Sequence, residues 1–487
     1  MLKENIRDEI SVKVDKNQDY VKEIFEGNSD MVFRQFYIGK FKAALTYIDG
    51  MSDKILLDDY ILENLMLAVN EVRDIKDIKD TLLTVSDLKE VKKLSEGINA
   101  VLSGDTLMMI DGLDICYVIS TRAWPSRSVG EPSGETTIRG GRDGFTETIR
   151  FNTALIRRRI KDTRLKLTSR SMGTRSKTDV VIAYIDDIVN KNILKELNDR
   201  LDKVSIDAIL DSGYIEQFIE ENEWSVFPQI QSTERPDVVA AALYEGRIAI
   251  LVDNSPFVLI VPTTFANMFQ SPDDYYQRWV YGSMSRIIRF LSIFVSLLLP
   301  SLYVAVTSFH TSIIPTKLAY FIASTREGVP FPAFIEAIIM EISLAFLLEG
   351  VARLPKAVGA TVGIVGGLII GQAAVSANIV SPVMIIIVSI TALTSFTTPN
   401  YGMSSAFRIL RLFLIITAAI AGLYGIIIGL IFILIHLVRL KSFGVPYLSP
   451  VVKPNSNDFK DLLVKISIKH FKRRPNYMRT QDKIRQK

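Results

Sequence analysis

Residues 357–375 read AVGATVGIVGGLIIGQAAV, an uncharged apolar run in which Gly359, Gly363, Gly367 and Gly371 recur at every fourth position. Residues four apart share a helix face, so at a rise of 1.5 Å per residue these glycines line a groove about 18 Å long. In water, four glycines would cost a helix roughly 0.5–1 kcal/mol each relative to alanine. In lipid, a row of small residues lets two backbones come close, and helix association rests on that contact. The run therefore predicts a membrane helix whose glycine face meets another helix, either of the same chain or of a neighbouring subunit.

The 487-residue chain around this run is split in character rather than blended. Residues 1 to about 285 carry abundant Asp, Glu, Lys and Arg and read as a soluble α/β region. Five apolar segments follow, at 288–308, 333–351, 357–375, 379–396 and 412–438, each about as long as a bilayer is thick. The tail from Arg439 holds thirteen Lys or Arg against three Asp. The first twenty residues are charged throughout and lack an apolar signal-peptide core, so the front region is expected to stay in the cytosol. A lone Cys116 excludes an internal disulfide, and His310, His436 and His470 have no zinc-ligand spacing. No Walker loop, no GxGxxG after a strand and no Ser-His-Asp order is present, so neither enzyme chemistry nor a cofactor is expected.

The soluble region contains a repeat. Ala44-Leu45-Thr46-Tyr47-Ile48-Asp49 resembles Ile182-Ala183-Tyr184-Ile185-Asp186. Gly104 precedes Asp111 by seven residues in GDTLMMIDGLDICYVI, and Gly246 precedes Asp253 by the same seven in GRIAILVDNSPFVLIV. Both read as β-hairpins, with a turn rich in Asp, Gly, Asn or Pro between two apolar strands. The expected order is a disordered polar arm at 1–29, an α/β subdomain at 30–130, a basic linker at 131–178 and a second α/β subdomain at 179–285. A helical membrane domain at 286–440 and a basic tail at 441–487 complete it. Within the linker, Arg139 and Arg142 lie in a Gly-rich loop. Arg150 and Arg157–Arg159 ride on a helix whose apolar face is Phe145, Ile149, Ile156 and Ile160 together with Asn152. These arginines are expected on a solvated or interface face, paired with acidic neighbours. Without interleaved aromatics they do not indicate nucleic-acid binding.

In the membrane half, Glu336, Glu341 and Glu349 fall in the second span, where ionisable groups are costly and face a bundle interior or a watery path. Glu341, near the middle, is the candidate for ion contact or for an interhelical hydrogen bond, with Glu336 and Glu349 nearer the ends. Pro355 predicts a bend that folds the second span back on the glycine helix, and Pro399 with Gly402 marks a hinge before the last span. Arg286, Arg289, Arg353, Lys356, Arg408 and Arg411 read as cytosolic loop charges. Five crossings would place the basic tail outside. One segment must therefore be re-entrant, or the last, which contains Gly422 and Gly425, must form a hairpin.

Several long motifs, in order, carry a resemblance. They are RGGRDGFTETIRFNTALIRRRIKD from Arg139, ERPDVVAAALYEGRIAILVDNSPFVLIVPTTF from Glu234, QSPDDYYQRW from Gln270, PFPAFIEAIIMEI from Pro330, RLPKAVGATVGIVGGLIIGQAAVSANIVSP from Arg353 and TTPNYGMSSAFRILR from Thr397. Over about residues 30–450 the chain resembles the A subunit of the GerA-type nutrient germinant receptors of spore-forming Firmicutes. The resemblance implies a multi-pass protein of the spore inner membrane with its N-terminal domain on the core side. It also implies a transporter-like B subunit and a lipoprotein C subunit as partners, and assembly as an oligomeric ion channel that opens in germination. In that setting the glycine row is expected at a subunit contact. A non-conducting relay scaffold and, more remotely, a secondary transporter are the alternatives.

Overall fold

The computed structural model describes residues 6–67, 87–123, 130, 132, 134–135, 137–355, 359, 363, 366–367, 371–452, 454 and 458–486. They form two compact units. One comprises Met1–Glu220, Ile230–Pro262 and Lys472–Lys487, and the other Glu221–Gln229 and Thr263–Phe471.

The first unit holds two five-stranded antiparallel sheets of one topology. Helix α1 (Val14–Ile24) precedes β1 (Met31–Ile38), β2 (Phe41–Ile48), a π-helical turn (Leu56–Leu62) running into α2 (Glu63–Leu67), β3 (Leu88–Val91), α3 (Leu94–Val101), β4 (Thr106–Ile110) and β5 (Cys116–Ile119). Helix α4 (Ile149–Arg159) precedes β6 (Leu165–Met172), β7 (Thr178–Ile185), α5 (Lys191–Leu201), α6 (Ser212–Ile219), β8 (Gln231–Thr233), α7 (Pro236–Tyr244), β9 (Ile248–Val252) and β10 (Val258–Val261). The strand orders are β1-β2-β4-β5-β3 and β6-β7-β9-β10-β8.

Alternation along the strands explains the burial. Ala44, Ile48, Leu107 and Met109 enter one core, whereas Ala43, Leu45, Met108 and Ile110 enter another on the opposite face. Both faces are covered, so β4 and β9 are buried throughout and, apart from Thr106, apolar. The expected hairpins are β4–β5 and β9–β10, and Gly104 and Gly246 both take the positive φ that a side chain would resist, 97° and 86°.

The duplication reaches further forward than expected. Asp111 Oδ1 accepts from the Val14 amide at 3.0 Å, and Asp253 Oδ1 accepts from the Ile149 amide at 3.1 Å. Asn17 bonds both backbone groups of Ser11, and Asn152 bonds both of Thr146, with the same pair of distances, 2.8 and 2.6 Å. Helices α1 and α4 are thus the same element in two copies. The arm expected to be disordered at 1–29 contains α1, which puts Val14 and Val21 into the first core. The stretch expected as a linker, 131–178, contains α4 and β6, which are part of the second subdomain's core.

The second unit is helical. After α8 (Phe265–Met268) and α9 (Pro272–Tyr276) come α10 (Trp279–Ser308), α11 (Thr316–Arg326), α12 (Ala333–Ala352), α13 (Pro382–Ser395) and α14 (Tyr401–Arg439). Among the described residues, α10 and α14 are long and apolar enough to cross a membrane. The last helix is broken at Ala421 and at Gly422, which has φ 57° and ψ −135°. Beyond the break the chain turns back. A Cβ on Gly425 would collide with the Thr417 carbonyl, and one on Gly429 would lie 2.7 Å from Leu414. Ile433 and Leu437 share a core with Met403 and Phe407. Of the two expected solutions, then, the last segment forms the hairpin, with arms 401–420 and 423–439.

Candidate functional site

Three buried charge clusters stand out in the helical unit. Each contains an arginine that the sequence reading had left in a loop or had not weighed. The deepest joins Glu341 of α12 to Arg411 of the first α14 arm. Arg411 Nη2 donates to Glu341 Oε2 at 2.7 Å and its Nη1 donates to the Ser296 carbonyl of α10 at 3.2 Å. Both side chains are about 2% exposed. An isolated charge here would be costly, and the opposite charge with a carbonyl cap makes the burial tolerable. Arg411, expected as a loop charge, is therefore an interior residue. It ties three helices together, and Glu341 makes its contact with an arginine.

The second cluster centres on Glu336, one turn into α12. Glu336 Oε2 accepts from the Ser381 amide at the start of α13 at 2.9 Å, and Arg326, at the end of α11, lies 3.0 Å from Oε1. A carboxylate suits a helix N-terminus, where amides lack partners. Glu349, by contrast, is exposed and pairs along its own helix with Arg353 at 2.5 Å. The three carboxylates thus separate into two interior staples and one surface pair.

The third cluster lies at the start of α10. Arg286 and Arg289, expected as loop charges, are buried and converge on Asp274 of α9, at 3.2 and 3.1 Å. The tail completes it. Asp461 Oδ1 accepts from Arg286 at 2.8 Å, and Lys465 Nζ donates to the Asp274 carbonyl at 2.7 Å. Burial lowers the Lys465 pKa from the ordinary lysine value, against the attraction of Asp461.

The glycine row faces its own chain. A Cβ on Gly359 would sit 3.2 Å from the Val351 carbonyl, one on Gly363 3.7 Å from Val351 Cγ2, and one on Gly366 2.9 Å from Leu347. Gly367 and Gly371 have only ordinary contact distances, about 4 Å, to Leu347 and Ile385. This antiparallel match to α12 is the tight hairpin expected around Pro355. Lys356 and most of 357–370 lie outside the described residues. Pro399 precedes α14, whose first turn Asn400 caps by accepting from the Met403 amide at 3.1 Å, and Gly402 abuts Pro228.

In the first unit, Arg139 and Arg142 are exposed, and exposed Arg150 lies 3.2 Å from Asp49. Arg157 differs from the solvated reading of its helix. It is fully buried and forms a bidentate pair with Asp30, at 2.8 and 2.9 Å, and it also bonds Asn28 and the Leu165 carbonyl. It clamps the two subdomains. Nearby, Arg235 holds the Gly-rich loop through the carbonyls of Glu135 and Gly141. Burial pushes the Glu135 carboxyl up to about 7, opposed by a hydrogen bond from Thr233 and reinforced by Glu234. Burial also pushes the Cys116 thiol up to about 12, so it is an inert core residue. Among the described residues no cluster of His, Cys, Asp or Glu is arranged to hold a metal ion.

A family model described as Bacillus/Clostridium GerA spore germination protein matches residues 19–477. The chain is 42% identical over 476 residues to the uncharacterized membrane protein YfkQ of Bacillus subtilis (strain 168), covering 97% of this chain and 93% of that one. It is also 42% identical over 488 residues to spore germination protein B1 of the same organism, covering 98% and 100%. A crystal structure of the N-terminal domain of the A subunit of the Bacillus megaterium spore germinant receptor GerK3 is 36% identical, with a TM-score of 0.43. It covers 53% of this chain and 98% of that one.

Proposed function

This chain belongs to the GerA spore germination protein family, and on that premise we propose that it is the A subunit of a nutrient germinant receptor that gates an ion pathway. It sits in the spore inner membrane, with the α/β unit on the core side, and works with a transporter-like B subunit and a lipoprotein C subunit. The observation that carries the reading is the Glu341–Arg411 pair, a neutralised charge pair inside an apolar helical unit. Intramembrane charges of this kind mark pathways and switches. Glu341 and Glu336 line or border the path, and exposed Glu349 stands at its mouth. The breaks at Pro355, Pro399 and Gly402 are where the helices pivot.

The path forms when copies of the chain close a ring, since a heterologous contact closes when its rotation does. The glycine row supplies that contact beside the face it gives to α12. Alanine at Gly363 or Gly367 meets only ordinary contact distances within the chain, so loss of the oligomer in Gly363→Ala or Gly367→Ala would come from another subunit. Receptor reconstituted with its partners passes monovalent cations on nutrient addition. Intact oligomers without any flux would refute the channel and leave the relay scaffold. That second reading draws on the same pair, because Arg411 occupies the carboxylate a permeant cation would need.

A further inference from the structure

The chain leaves the α/β unit after Glu220, gives Glu221–Gln229 to the helical unit, and re-enters the α/β unit at Ile230. The excursion is short and tightly built. Gln229 closes it on itself, accepting from the Asn222 amide at 3.1 Å and donating to the Asn222 carbonyl at 2.8 Å. Trp224 at its tip is 90% exposed, whereas Phe227 is 2% exposed.

Phe227 sits at the open end of the α14 hairpin and touches both arms. Its ring lies 6.4 Å from that of Phe407 on the first arm, edge to face, and stacks 6.0 Å from that of His436 on the second. Ser225 adds a hydrogen bond to His436 Nε2 at 3.0 Å. The segment after the hairpin grips the same loop, with Ser442 Oγ donating to the Gln229 carbonyl and Tyr447 OH to the Pro228 carbonyl, each at 2.8 Å. A rigid aromatic between two arms fixes their separation, because close-packed side chains rearrange in discrete steps rather than by smooth yielding.

Both flanks of the loop are anchored in the second subdomain. One residue before it, α6 ends at fully buried Ile219. One residue after Ile230, β8 begins, a three-residue edge strand. A shift of α6 or β8 therefore reaches the loop through one residue on each side, Glu220 and Ile230, and the Asn222–Gln229 bonds join the two ends of the loop that carries Phe227.

We propose that Glu221–Gln229 is the coupling loop of this chain, and that Phe227 is a positioning residue transmitting the state of the second α/β subdomain to the spacing of the α14 arms. The proposal rests on the receptor reading for what is gated, but the coupling itself is measurable without it.

The test uses the full-length chain in lipid nanodiscs, with hydrogen exchange read at the arm ends, residues 401–407 and 433–440. Ile219→Ala, or the milder Ile219→Val if the first does not fold, loosens α6. It is expected to speed exchange at both arm ends at least fivefold. Inserting Gly-Ser at both the 220/221 and 229/230 junctions adds slack while leaving the loop's own contacts in place, and it should abolish that response. Phe227→Ala should abolish it too. An equal response with and without slack, or no response in the parent loop, overturns the proposal. In spores carrying the slack variant as sole receptor of the family, nutrient-triggered germination should fall at least tenfold at unchanged membrane abundance. Exchange coupling in a chain that never answers a nutrient would defeat the receptor reading and leave the loop's role standing.

Discussion

Replacing Arg411 by methionine removes the guanidinium that lies 2.7 Å from Glu341 and leaves a buried carboxylate among apolar helices. With charge centres about 4 Å apart and an effective dielectric near 20, the mutual attraction is about 4 kcal/mol. Taking each ion out of water costs several kcal/mol, so the intact pair comes out near neutral against an apolar pair of similar volume. Breaking it does not, because about 3–5 kcal/mol is lost when one buried charge is orphaned. At roughly 2–4 °C per kcal/mol, Arg411→Met should lower the midpoint of the helical unit by about 10 °C. Glu341→Met should do the same, with the Ser296 carbonyl as Arg411's remaining partner. The double replacement should return to within about 1 kcal/mol of the parent. Thermal unfolding of the four full-length proteins in one detergent, followed by helical circular dichroism, completes the cycle. A double variant that loses the sum of the two single losses would show that the residues do not act as a pair and would refute the reasoning.

Three further outcomes are expected. Gly422→Ala forces a side chain into backbone angles that L residues rarely adopt, at a cost of about 1–3 kcal/mol, and with Gly425→Ala, which meets the Thr417 carbonyl, it should deplete the protein from membranes by immunoblot. Arg157→Met should destabilise the α/β unit by about 3–5 kcal/mol in urea, and adding Asp30→Leu should restore most of it. Because the Glu135 pKa is raised, the folded chain binds its proton more tightly than the unfolded chain. Its contribution to stability is therefore complete at low pH, declines from about 4.5 to about 7, and is flat above. Exchange at 137–144, corrected for intrinsic rates, should accordingly be faster at pH 8 than at pH 5, and Glu135→Gln should remove the difference.

The repeat was legible in the sequence where it is apolar. The seven-residue step from Gly104 to Asp111 and from Gly246 to Asp253 located both central hairpins, because positive φ and a helix-capping carboxylate each restrict residue choice strongly. Helix α1 escaped notice because its buried face carries Asn17 and Gln18, polar side chains hidden by hydrogen bonds that leave no apolar period to read. Arg157 escaped for the converse reason, since a helix bearing four arginines looks solvated until Asp30, 127 residues away, is placed against it. Glu341 was read as a group for ion contact or an interhelical hydrogen bond and is buried against Arg411, which was read as a loop charge. A carboxylate and an arginine lying in separate apolar helices were the signal that would have joined them. A turn in α14 near Gly422 was one of two alternatives, raised by the length of the last apolar segment and by the charge of the tail.

That turn has a bearing on how the protein is made. From Leu412 to Val438 there is no Lys, Arg, Asp or Glu, and the reversal at Gly422 lies inside this stretch with no polar loop to announce it. An insertion machinery that halts on flanking charge receives no stop signal between the two arms. On the reading that this unit spans a membrane, the two arms enter as a pair, with Arg439 and the basic tail as the first flanking charge beyond them. A chain cut after Gly422 would keep the first arm without the second, and Met403 and Phe407 would lose the cover that Ile433 and Leu437 give them.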